Sequence, residues 1–66
     1  MKRIATNAAK SHPMLAGATV INYEGKWVVN VEETYYDAIE AADMLTVPSG
    51  YFAEPINAAL IGIHPV

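Results

Sequence analysis

The chain has 66 residues, no cysteine, one Trp, and four Lys/Arg against seven Asp/Glu, for a net charge of −3. These figures exclude more than one small domain and any disulfide or thiolate-metal staple. No apolar run approaches the ~20 residues of a membrane-spanning helix.

Apolar residues form 53% of the chain, which is far too many for a disordered tail. Eleven of them are Ala, so the core is thin, and a partner or self-association would help to hold it. The basic start Met1-Lys2-Arg3 resembles the head of a leader peptide. Lys10 and His12 interrupt the stretch after it, so no leader core forms and a cytoplasmic protein is expected. Thr6 is predicted to cap a short helical turn, Asn7–Lys10, which His12-Pro13 ends.

Residues 18–31 predict a β-hairpin. β-branched and aromatic residues flank Glu24-Gly25, a two-residue turn in which Gly supplies a positive φ. The implied register sets Tyr23 against Lys26, Asn22 against Trp27, Ile21 against Val28 and Val20 against Val29. One face then carries Ala18, Val20, Asn22, Trp27, Val29 and Val31, the better core, with Trp27 in it. The other carries Thr19, Ile21, Tyr23, Lys26, Val28 and Asn30. It is still partly apolar and needs cover from the chain ends or a partner.

Residues 34–45 predict the main helix. Tyr35, Ala38, Ile39, Ala42 and Leu45 form one apolar stripe, and Thr34 with Asp37 makes a capping box. Asn30 with Glu33 offers an alternative start. Val47-Pro48-Ser49-Gly50 ends the helix. Over 55–63, Pro55 stands where a helix begins and Gly62 where one stops, which predicts a short helix. Leu60-Ile61-Gly62-Ile63 reads alternatively as a strand. The expected fold is therefore α+β, a small antiparallel hairpin packed against one amphipathic acidic helix, with short helical segments at the ends.

The order of charges carries more information than their sum. Residues 1–26 hold Lys2, Arg3, Lys10, Lys26 and Glu24, and residues 27–66 hold six acids and no base, so +3 is followed by −6. Glu33, Asp37, Glu40 and Met44 cluster on the helix face opposite Ile39 and Ala42, with Asp43 and Tyr36 at its edge. Like charges at this spacing cost a few tenths of a kcal/mol per pair, and no Lys is interspersed to recover it. Such a face is either a solubilising surface or a site for a basic partner. The candidate partner-binding residues are Glu32, Glu33, Tyr36, Asp37, Glu40 and Asp43, with Tyr36 as aromatic anchor. Carboxylates roughly 5–6 Å apart along a helix approximate alternate phosphates of a nucleic-acid strand, ~7 Å apart.

No catalytic or metal-binding set emerges. Asp37, Glu40 and Asp43 on a straight helix offer too few oxygens for Ca²⁺, and His12 and His64 have no Cys or Glu-x-x-His unit beside them. Ser11 and Ser49 lie in no nucleophile motif, and no cofactor loop is present. Three bases over ten residues are thin for direct nucleic-acid binding, which the remaining charge would oppose.

In size, lack of cysteine, acidity and the Glu33–Asp43 acidic helix, the chain resembles the small phage-encoded anti-CRISPR proteins, notably those acting on type I effectors. The resemblance is one of profile and carries over no residue roles. It implies a non-enzymatic inhibitor in the host cytoplasm. Several such proteins mimic DNA and occupy the basic channel of the effector. On this expectation, reversing Asp37 and Glu40 to Lys leaves the fold intact and abolishes competition with DNA. The alternative is a small structural or assembly protein acting as a homo-oligomer, motivated by the thin core, the part-apolar second sheet face and the bipolar charge.

Overall fold

The computed structural model describes residues 2–66. Its elements in chain order are α1 (Lys2–Ala9), a 3₁₀ turn (Pro13–Leu15), β1 (Thr19–Tyr23), β2 (Lys26–Asn30), α2 (Ala38–Met44), β3 (Tyr51–Pro55) and β4 (Leu60–Pro65). The strands form one antiparallel sheet in the order β1-β2-β4-β3. Both helices pack on the same face of it, giving a two-layer α+β fold.

The β1–β2 hairpin has the register its sequence implies, from Tyr23 opposite Lys26 to Thr19 opposite Asn30. Glu24 (φ 52°) and Gly25 (φ 81°) both take the left-handed conformation. That conformation matches the right-handed twist of the flanking strands.

Side-chain alternation then sorts the sheet. Val20, Trp27, Val29, Ala53, Ile61 and Ile63 face the helices, where they meet Ala5, Ala9, Ala38, Ala41, Leu15 and Leu45. The helices present mainly Ala to this face, which lets their backbones lie close to the strands. Leu15, Ile61, Val28, Val29 and Val31 are the largest fully buried side chains. The hydroxyl of Ser11 accepts from the Thr46 N–H (2.8 Å) and donates to the Ala8 carbonyl (2.6 Å), tying the end of α1 to the end of α2.

Several expectations are corrected. The N-terminal helix starts at Lys2, not at a Thr6 cap, because Ala5, Ala8 and Ala9 already make an apolar stripe. It ends at Ala9, and His12 Nδ1 accepts from the Met14 N–H, capping the 3₁₀ turn.

The main helix covers Ala38–Met44 rather than 34–45. The Thr34 hydroxyl is spent on the preceding turn, donating to the Val31 carbonyl and accepting from the Tyr36 N–H. Asp37 is the N-cap, accepting from the Glu40 N–H at 2.9 Å. The cap thus lies three residues later than expected. The buried stripe moves with it to Ala38, Ala41 and Leu45, leaving Tyr35 99% and Ile39 68% exposed.

The short helix expected over 55–63 is replaced by the alternative strand. Pro55 closes β3 and pairs with Ile61, and β4 runs from Leu60. Asn57 Oδ1 accepts from the Ala59 and Leu60 N–H groups and shapes the connecting loop. Pro and Gly here mark an edge-strand end and a close approach rather than helix ends.

Candidate functional site

The six candidate residues come from one continuous stretch, but not from one helix face. Glu32 and Glu33 lie in the turn after β2, where the Glu32 N–H donates to Asn30 Oδ1 and the Glu33 backbone lies against Gly17. Asp37 caps α2, while Glu40 and Asp43 project from it. All five carboxylates are exposed. Among the described residues no Lys or Arg lies within ion-pair reach of them; the ion pair found is His64 with Glu54. The regular helical spacing of carboxylates therefore reduces to Glu40 and Asp43, with Asp37 at the cap.

Tyr36, the expected aromatic anchor, is half-buried against the core. Tyr35 is the more exposed of the two tyrosines. It stands wholly exposed, four residues before exposed Ile39 and amid the acids. Periodicity assigns both residues to the core; the structure leaves Tyr35 ahead of the cap and Ile39 on the outer face of α2. The acidic stretch thus has two large apolar side chains set among unpaired carboxylates. Aromatic and aliphatic anchors rimmed by charge are the composition of protein-binding surfaces.

A second cluster lies on the sheet face opposite the helices. It carries Ile21, Tyr23, Lys26, Val28, Phe52, Glu54, Ile56, Leu60 and His64, with Gly62 near its centre. The His64 ring folds over Gly62, tilted against Phe52 with centroids 5.4 Å apart. Its Nε2 is 3.1 Å from Glu54 Oε1 but misaligned for a hydrogen bond, so the contact is electrostatic when the ring is protonated.

Two shallow clefts of about 330 Å³ and 270 Å³ flank this ring and share Lys26 and His64. Tyr23, at the rim, titrates above the usual tyrosine range because the Glu24 carboxylate accepts from its phenol and repels the phenolate. No group of three or more metal-ligating side chains occurs among the described residues. On the helix side, Lys2 Nζ lies 5.0 Å from the centroid of the half-buried Trp27 ring.

Sheet and helices together define a small α+β protein with two candidate surfaces, an acidic stretch and an open sheet face. No family model, curated protein or solved structure matches the chain. No helix among the described residues is long and apolar enough to cross a membrane.

Proposed function

We propose that this protein is a non-enzymatic binding protein whose acidic stretch, Glu32 to Asp43, engages a basic nucleic-acid-binding partner and keeps nucleic acid off it. The observation that carries this reading is the exposure of Tyr35 and Ile39 among five carboxylates that have no basic partner among the described residues. Electrostatic attraction steers the encounter, and the apolar pair supplies contact area. The profile shared with anti-CRISPR proteins makes a type I effector the partner of first choice, with target DNA displaced from its basic channel.

The test reverses charge at Glu40 and Asp43. Asp37, first choice from sequence, caps α2, and Lys there would confound binding with unfolding. The Glu40→Lys/Asp43→Lys variant keeps the fold and loses competition with DNA. Equal competition by the folded variant removes the proposal.

A second reading, self-assembly, is favoured by the open sheet face. No helix among the described residues covers it, and Phe52 (44%) and Ile56 (40%) are left exposed.

A further inference from the structure

The bipolar charge order becomes spatial in the fold. α1 lies over β1 and β2, and α2 over β4 and β3. α1, which carries Lys2 and Arg3, therefore lies toward the β1 side of the helix layer, and α2, with Asp37 at its cap and Glu40 and Asp43 within it, toward the β3 side. The helix nearer β1 is basic and the helix nearer β3 is acidic.

Backbone hydrogen bonds fix which residues point outward from the two edges of the sheet. The Val31 N–H donates to the Ala59 carbonyl, toward β4, so Lys26, Val28 and Asn30 bond toward β1. Their partners Tyr23, Ile21 and Thr19 are thereby used, and Val20 and Asn22 turn their main-chain groups outward. On β3 the Ile56 N–H donates to Leu60 and Gly50 accepts from Val66, so the even-numbered residues bond β4. Tyr51, Ala53 and Pro55 face out, and the amide hydrogen that Pro55 lacks costs the inner ladder nothing. β1 (Thr-Val-Ile-Asn-Tyr) has no charge and no Pro, the devices that usually blunt an edge.

The two edges match. With four antiparallel strands, a copy translated sideways brings its β1 antiparallel to β3. The outward residues of both strands have side chains on the helix side, so the junction continues the sheet with all helices on one face. It also sets the acidic α2 of one copy beside the basic α1 of the next.

We propose that copies of this protein associate head to tail through β3 and β1, forming a continuous sheet. In this register Val20 pairs with Ala53 of the next copy and Asn22 with its Tyr51, while Ile21 covers its exposed Phe52 on the open face. Three main-chain bonds result, because the Tyr51 N–H is already given to Pro48. Joining dissimilar edges leaves a free edge at each end, so growth is open-ended. This assembly runs through the sheet edges and covers only Phe52 of the open face, and it is independent of any basic partner, because it is measured on the protein alone.

The absence of cysteine makes the test clean. Ile21→Cys and Phe52→Cys proteins are prepared separately, mixed and air-oxidised. Directly opposed residues in an antiparallel pair have Cα separations within the ~4.4–6.8 Å that a disulfide spans. The mixed disulfide should dominate over both homodimers, and high salt should reduce it. Sedimentation of the wild-type protein should show species beyond the dimer that grow with concentration and shrink with salt. Ala53→Pro, which removes an outward amide hydrogen, should abolish them while circular dichroism remains native. Predominant homodimers of Ile21→Cys, or a wild-type protein that stays monomeric at every concentration at low salt, would overturn the proposal.

Discussion

The imidazole of His64 occupies the space a side chain at Gly62 would need: a Cβ there would lie 2.6 Å from Nε2 and 2.8 Å from Cε1. Gly62→Ala must expel the ring from its place beside Glu54 and Phe52. Overpacking of this kind costs about 1–3 kcal/mol. The lower half of that range is expected, because a side chain can swing aside. Removing the ring should remove the cost, so Gly62→Ala should be better tolerated in a His64→Ala background. Urea unfolding of the four proteins in this cycle measures the coupling, and strictly additive costs would contradict the contact.

Gly17 is confined by something that cannot swing. A Cβ there would lie 2.5 Å from the Glu33 carbonyl oxygen, which is backbone. Gly17→Ala should therefore destabilise more than Gly62→Ala and displace the turn that carries Glu32 and Glu33. Unfolding midpoints rank the two variants, and amide chemical-shift changes concentrated at 31–37 would locate the displacement.

Asp37 and Ile39 separate stability from surface. Asp37→Ala should cost about 1 kcal/mol through loss of the cap, and Asp37→Asn much less. Ile39→Ser and Tyr35→Ser should stay within ~0.5 kcal/mol, because neither side chain is in the core. Thermal or urea unfolding checks all four. A large loss at Ile39 would restore the stripe expected from periodicity and place the helix differently.

That stripe shows where sequence reasoning runs out. The hairpin is legible to the residue, because Glu24-Gly25 admits one short turn and the β-branched flanks admit one register. The helix is legible as an element but not in phase. Thr34 and Asp37 are both competent caps, and the choice depends on Thr34 closing the turn at Val31, a tertiary consequence of where β2 ends. The later cap leaves Tyr35 outside the helix, and packing through Ala38, Ala41 and Leu45 turns Ile39 to the surface. Pro55 and Gly62 mislead for a different reason. Each suits a helix end locally, and only the sheet shows that Pro55 loses nothing on an outer edge and that Gly62 makes room for His64. The acids of the candidate site can be named from the sequence. Their apolar companions cannot, and the spacing points to Tyr36 where Tyr35 stands.

The central claim is that the acidic stretch displaces nucleic acid from a basic partner. The most direct measurement titrates the protein into a type I effector complex carrying labelled target DNA and follows DNA release at two salt concentrations. The expected result is release by the wild-type protein, with a midpoint that rises with salt, and no release by the folded Glu40→Lys/Asp43→Lys variant. Release by that variant at the wild-type midpoint, or DNA left bound at saturating wild-type protein, would contradict it.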